Sequence, residues 1–317
     1  GGNNVAIGRV ALTSNTSGAT NTAVGDSALY ANTTGGSNVG IGYQALDANT
    51  SGNNSVAVGT YSLSAASTGS GNTAVGTYAL NANSTASNNT AVGNSALLQN
   101  TTGTNNVAVG ANAGDAITTG NYNTAIGKGS LSTATTASNN TAVGESALNA
   151  DTTAGNNTAV GYHALISCTT GNQNTAVGST ALDANTTGVY NSAFGYDTLG
   201  SNTTGQANTA IGYEALDTNT TGSNNVAVGQ GSLDGNTTAD HNTAVGYHSL
   251  LTNTEGFSNT AVGSLALDAN TTGDELVAVG RNALGANTTA NHNTAVGAES
   301  FAANTTGTNN TGCGYNS

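Results

Sequence analysis

The chain has 317 residues, of which three are basic and sixteen acidic, giving a net charge of −13, and only 6% of its residues are charged. So few lysines and arginines argue against a nucleic-acid partner, because binding to a phosphate backbone needs clustered cations. The sparse charge also argues against a disordered acidic tail. No apolar run approaches eighteen residues, so no segment is expected to insert into a membrane.

A unit of seventeen residues repeats without insertion or deletion from Asn4 to the end of the chain. Its consensus is N-T-A-V-G-x-x-A-L-x-A-N-T-T-G-x-N, and positions 1 to 17 are counted from that first Asn. A fixed short period means that each unit packs against copies of itself. The sequence therefore predicts a solenoid, in which one repeat forms one coil and equivalent positions line up in columns.

Within the repeat, positions 2 to 5 read as a short strand, and a second short strand is expected around the Leu at position 9. Gly and Asn turns separate the two strands, and seventeen residues leave no room for a useful helix. We therefore predict an all-β fold, a parallel β-solenoid or β-roll of about 19 coils. It forms a single array over residues 1–317 with no capping coil, as expected for a segment of a longer fibre.

The bulky residues suggest which side of the strand faces inward. Position 4 is Val or Ile in nearly every repeat, and position 9 is nearly always Leu. Alternation along a strand then places positions 2 and 4 inside and positions 3 and 5 outside. We expect positions 3, 5 and 8, which hold Ala, Gly and Ala or Ser, to form a smooth outer strip that packs against another copy of the chain.

Two polar features are expected to shape the turns. Position 5 is Gly in every repeat, which indicates a positive φ or a close backbone approach; the first six of these turn glycines are Gly8, Gly25, Gly42, Gly59, Gly76 and Gly93. Asn dominates positions 1 and 12, and its amides are expected to form hydrogen-bonded ladders along the stack. Position 12 also holds Ala, Ile and Cys, which predicts a half-buried column.

Segments 38–46 (NVGIGYQAL), 72–80 (NTAVGTYAL) and 55–59 (SVAVG) resemble the head repeats of YadA-like trimeric autotransporter adhesins and of related tail-fibre-like surface proteins. The resemblance extends over all the repeats. It implies a left-handed β-roll, three chains side by side, an extracellular or cell-surface location and binding to host or other surfaces. The seventeen-residue repeat is longer than is usual in that family, and no neck, stalk or anchor is present.

Position 6 supplies the candidate contact residues, because Tyr recurs there directly after the fixed Gly and gives a large contact area at low entropy cost. These tyrosines are Tyr43, Tyr162, Tyr196, Tyr213, Tyr247 and Tyr315. They suit a receptor-binding stripe or a contact between chains. Packing at the sheet edge without a partner is the alternative interpretation.

The Thr columns at positions 13 and 14 suggest a second function. Regular Thr ladders order water in solenoid antifreeze proteins, so binding to ice or another crystal surface is the alternative to a fibre. Hydrogen bonding at the coil corner explains the same residues. The Asn-Thr-Thr triplets also match glycosylation sequons.

Catalytic and metal sites are not predicted. The four histidines are scattered, the Asp residues of position 10 do not form a continuous column, and no catalytic motif occurs. Cys168 and Cys313 lie about eight coils apart, roughly 40 Å at the spacing of stacked strands, which is too far for a disulfide. We therefore expect a non-enzymatic extracellular fibre or adhesin without cofactors, forming homo-oligomers side by side and filaments end to end.

Overall fold

A computed structural model describes all residues, 1–317. The predicted class is confirmed: the protein is all-β and contains no helix, and its 19 parallel strands belong to a β-solenoid of about 18 turns with about 17 residues per turn. The chain divides into two compact units, unit 1 over Gly1–Asn157 and unit 2 over Thr158–Ser317.

Each repeat contributes one three-residue strand, formed by positions 2 to 4. The strands of unit 1 are β1 (Val5–Ile7), β2 (Thr22–Val24), β3 (Val39–Ile41), β4 (Val56–Val58), β5 (Thr73–Val75), β6 (Thr90–Val92), β7 (Val107–Val109), β8 (Thr124–Ile126) and β9 (Thr141–Val143). The strands of unit 2 are β10 (Thr158–Val160), β11 (Thr175–Val177), β12 (Ser192–Phe194), β13 (Thr209–Ile211), β14 (Val226–Val228), β15 (Thr243–Val245), β16 (Thr260–Val262), β17 (Val277–Val279), β18 (Thr294–Val296) and β19 (Thr311–Cys313).

Within each unit, consecutive strands pair in parallel and in strict register. In unit 2, for example, Thr209 lies opposite Val226 and Ile211 opposite Val228, each partner seventeen residues further along the chain. Equivalent positions therefore stack directly on one another, as the period predicts.

The second strand expected in each coil is absent. In the third repeat, Gln44 and Leu46, at positions 7 and 9, have φ values of 52° and 55°, and this left-handed conformation is incompatible with a strand. The backbone ladder nevertheless continues there, because Leu46 N donates to Ser62 O at 3.0 Å. This half of the coil is a stack of turns held by the same coil-to-coil hydrogen bonds.

The inside and outside of the strand are reversed relative to the prediction. Ala23, at position 3, and Ala28, at position 8, are fully buried beside Leu29, whereas Val24, at position 4, faces outward. A Cβ built on Gly40, at position 3, would lie 3.3 Å from Leu29 Cγ. The coil is so thin that Leu at position 9 fills its interior, and only Ala fits on the opposite wall. Position 9 is therefore core, as predicted, and position 4 is not.

Both Asn columns are buried and close the coil from within. Asn38, at position 1, accepts a hydrogen bond from the backbone N of Ser55 (3.0 Å) and donates to Gly52 O (2.8 Å). Asn49, at position 12, donates to the same carbonyl (3.1 Å) and to Asn32 Oδ1 of the preceding coil (2.7 Å). The ladder predicted for position 12 is present, but the column is fully buried instead of half-buried.

The glycines of position 5 combine a positive φ with a close backbone approach. The six named glycines have φ values between 133° and 139°. A Cβ on Gly42 would lie 2.6 Å from the carbonyl oxygen of Gly59, the glycine of the next coil. Because this carbonyl belongs to the backbone that is hydrogen-bonded between coils, it cannot move away from an added side chain.

Replacing Gly42 by Ala should lower the free energy of unfolding by about 3 kcal/mol or more, because both the φ of 134° and the overlap with Gly59 oppose a side chain. Chemical denaturation of the purified variants measures this. The matched control is Gly36→Ala, at position 16, where the neighbouring coils already carry side chains at Ala19 and Asn53. The new Cβ would lie 3.1 Å from Ala19 O, a tight contact without a positive φ, so the loss should be about 1 kcal/mol or less. Equal losses in the two variants would contradict this role of position 5.

Candidate interaction surface

The outward side of the strands forms what we call the outer sheet face, made by the side chains at positions 2 and 4 within each unit. Ile126 and Ile211 are 39% and 42% exposed, although each ends a strand that is paired with a neighbour on both sides. Position 2 contributes Thr or Val, with Ser at Ser192, and no charged residue occurs at either position. Successive rows are about 4.8 Å apart, and the two columns are about 7 Å apart.

This face replaces the surface predicted from the sequence. Positions 3 and 8, expected to form a smooth outer strip, are interior, so they cannot contact another chain. The outward columns instead carry part-exposed branched side chains in every coil but that of Ser192 and Phe194. A continuous apolar surface of this kind is characteristic of interaction sites.

The six tyrosines of position 6 all lie at the surface, with exposures between 43% for Tyr43 and 74% for Tyr315. They do not form one stripe. Tyr196 and Tyr213 stack on each other with ring centroids 5.5 Å apart. Tyr162 and Tyr247 instead stack on the histidine that follows each of them.

Two further tyrosines, at position 7, belong to the same surface and were missed by the sequence analysis. Tyr61 and Tyr78 stack with centroids 5.4 Å apart, and Tyr43 approaches Tyr61 edge-on at 5.3 Å. The hydrogen bond between the hydroxyls of Tyr43 and Tyr61 is the main reason why the pKa of Tyr61 is raised. The sequence could have indicated this, because positions 6 and 7 are adjacent and aromatic residues at these positions on neighbouring coils can come into contact.

The two Thr columns have different environments. At position 13, Thr33 Oγ1 donates to Thr50 O of the next coil at 2.9 Å, and the same bond recurs at Thr186 and Thr203. At position 14, Thr34 and Thr187 are exposed. The Thr hydroxyls of position 13 are thus engaged in hydrogen bonds at the coil corner. Only the Thr column of position 14 faces outward.

The acidic residues are grouped in unit 2, where Asp183, Asp217 and Asp234 share the column of position 10. Burial is the main cause that raises the pKa of Asp217 to about 6, and the neighbouring Asp197, Asp234 and Glu214 raise it further. No group of three or more His, Cys, Asp or Glu side chains is placed to hold a metal ion.

The histidines are dispersed, as expected. His163 and His248 lie against the tyrosines described above, His241 is exposed, and His292 Nε2 lies 3.5 Å from Glu275 Oε2. No disulfide links the cysteines; the Cys168 thiol donates to Gly171 O at 3.3 Å, and Cys313 is exposed.

Asp151 is the one acid inside the column of position 12, and it is 0% exposed. Its Oδ1 accepts from Ala154 N at 2.7 Å and its Oδ2 from Asn140 Nδ2 at 3.1 Å. Burial nevertheless dominates and raises the pKa of Asp151 to about 7.

Compared with known proteins, the chain matches no protein-family model and no curated protein. The structure has no helix long and apolar enough to cross a membrane.

Asp151 should make stability depend on pH. Its raised pKa means that the folded chain holds this proton up to about pH 7, whereas the unfolded chain releases it near 3.8. The contribution of Asp151 to stability is therefore greatest below pH 3.8 and falls as pH rises to about 7, by up to about 4 kcal/mol at ~1.4 kcal/mol per pKa unit. Urea denaturation between pH 5 and 8 measures the effect.

The variant Asp151→Asn isolates this group, because it restores the usual residue of the column without a charge. We expect it to unfold at a higher urea concentration than the wild type at pH 8, with the difference shrinking toward pH 5. Glu145→Gln, at an exposed side chain in the same unit, is the control and should leave the pH profile unchanged. A difference between Asp151→Asn and wild type that is independent of pH would contradict the assignment.

Proposed function

We propose that the protein is a non-enzymatic structural fibre or adhesin of the cell surface or extracellular space, in which chains associate side by side through the outer sheet face. The observation that carries this proposal is that every coil presents the same uncharged pair of positions, which hold part-exposed Val or Ile beside Thr or Val in all coils but those of Phe194 and Cys313. In water such a surface is stabilised by covering it. A second copy of the chain has a complementary face with the same spacing of rows.

The resemblance to YadA-like head repeats supports a trimer and a location outside the cell. In that arrangement the tyrosines of positions 6 and 7 remain available for a host or other surface ligand. Stacking of end coils on one another would extend the assembly into a filament.

Side-by-side association through the outer sheet face predicts the effect of charge on this surface. The double variant Ile211→Asp, Val228→Asp places two carboxylates on neighbouring rows of position 4. We expect the wild type to sediment as an oligomer and this variant as a monomer, because burying an unpaired carboxylate in an interface costs several kcal/mol. Sedimentation velocity over a range of concentrations measures this.

The matched control is Thr204→Asp, Thr221→Asp, which places the same charges on the exposed column of position 14. The control should remain oligomeric, and all three proteins should give the same circular dichroism spectrum. A monomeric wild type, or equal dissociation of both variants, would remove the proposal that this face joins chains.

A second candidate function is binding to ice or another crystal surface, favoured by the Thr column at position 2 of the outer sheet face. Thr175, Thr209 and Thr243 stand there beside Val and Ile in unit 2, with Ser192 and Val226 in the coils between them. The rows of the two columns keep a regular spacing that such a surface could match. This moves the hypothesis away from positions 13 and 14, where one Thr file is engaged in the coil corner.

Thermal hysteresis distinguishes this candidate from the fibre. If the outer sheet face binds ice, the wild type should depress the freezing point below the melting point, and Thr209→Lys, Thr243→Lys should abolish the gap. The control Thr204→Lys, Thr221→Lys should retain it. Absence of thermal hysteresis in concentrated wild-type protein would eliminate ice binding. Loss of hysteresis in the control variant alone would assign ice binding to the Thr column of position 14.

A further inference from the structure

The surface carries two pairs of tyrosines stacked across neighbouring coils. In unit 2, the rings of Tyr196 and Tyr213 are 5.5 Å apart with an interplanar angle of 11°, and they are 50% and 48% exposed. In unit 1, the rings of Tyr61 and Tyr78 are 5.4 Å apart with an angle of 4°. Each pair is held by the seventeen-residue register, so the two phenols stay together.

We propose that these two pairs are modification sites, at which a peroxidase using hydrogen peroxide joins neighbouring coils through a dityrosine bond. The proposal concerns chemistry within one chain and does not depend on the fibre or ice-binding function. Its effect would be to lock adjacent turns of the solenoid covalently, in a protein where no disulfide does so.

The reaction balances within the pair. Each phenol loses one electron and its hydroxyl proton, giving two tyrosyl radicals on neighbouring coils. The radicals couple by forming one carbon–carbon bond between ring positions ortho to the hydroxyls, and the two ring hydrogens then move to the oxygens and restore the phenols. The two electrons and two protons reduce one hydrogen peroxide to two waters.

The surroundings of Tyr213 favour the first step. Its hydrogen bond with Glu214 is the main cause that raises its pKa, so the phenol is protonated at neutral pH. The same carboxylate can accept the proton as the electron leaves. Carboxylates nearby also stabilise the positive charge that develops on the ring during oxidation.

The composition of the chain favours tyrosine as the site of oxidation. It contains no Trp and no Met and only two Cys, and Cys168 is buried. The other exposed tyrosines provide an internal comparison. Tyr190, for example, is 61% exposed, but Gln173 and Ala207 occupy its position in the neighbouring coils.

The test treats the whole chain at low concentration with a haem peroxidase and hydrogen peroxide. The product is then digested at acidic residues and examined by mass spectrometry and by dityrosine fluorescence. We expect linked peptides that join Tyr196 to Tyr213, together lighter than the sum of the two by two hydrogens. Tyr61 and Tyr78 lie in the single peptide between Asp47 and Asp115, which should itself be lighter by two hydrogens, with fragmentation placing the link between these two tyrosines. An equal mixture of ¹⁵N-labelled and unlabelled protein should give links of one isotope only, because both tyrosines belong to one chain.

Conservative variants identify the pairs. Tyr213→Phe keeps the ring and the fold but should lose the Tyr196 link completely while retaining the link of Tyr61 to Tyr78. Tyr190→Phe should retain both links. Mixed-isotope links only, links distributed over Tyr190 and the other unpaired tyrosines, or oxidation without any link at the two pairs would overturn the proposal.

Discussion

The structure depends on one buried interaction, the pair of asparagine amides that meets the carbonyl of position 15 inside most coils. In the coil that contains Gly52, Asn38 and Asn49 both donate to this carbonyl. Asn38 also accepts the backbone N–H of Ser55 in the next coil, so one side chain both closes its own turn and ties it to its neighbour. Buried polar groups that are fully hydrogen-bonded in this way specify a unique arrangement, which here is copied in most repeats.

This closure sets the width of the coil and, with it, which side chains face inward. The amides bring the corner so close to the strand that the interior holds one Leu and two small side chains, such as Leu29 with Ala23 and Ala28. A Val or Ile at position 3 would collide with that Leu. The larger residues of positions 2 and 4 are therefore directed outward, and an apolar outer sheet face is a geometric consequence of so small a core.

The period of the sequence was sufficient to predict the solenoid, the parallel register and the Asn ladder at position 12, because a repeat of fixed length can only stack on itself. The orientation of the strand was not predictable from size alone, since Val24 and Ala23 are both apolar and period-two alternation fits either choice. The prediction of a second strand was wrong because Leu46 adopts a left-handed conformation. Leu has no preference for that conformation, so nothing in the sequence indicated it. Among the surface residues, the tyrosines of position 6 were recognised because Tyr recurs there. Tyr61 and Tyr78, at position 7, belong to the same surface only through their ring contacts between coils.

The interruptions of the column at position 12 show that a single Asn amide can close a coil. Ile117, Ala134 and Asp151 replace it in three consecutive coils of unit 1, and Asn100 Oδ1, which precedes Ile117, has no hydrogen-bond partner. Those coils keep the same turns because Asn106, Asn123 and Asn140 still donate to the carbonyls of position 15 at 2.8 to 2.9 Å. Position 1 thus closes these coils alone, and in the coil of Leu276 the position-12 side chain of Asn287 donates to Ala290 O in its place. The coil with Ser55 and Ala66 has neither amide, so it is where local opening of unit 1 should begin.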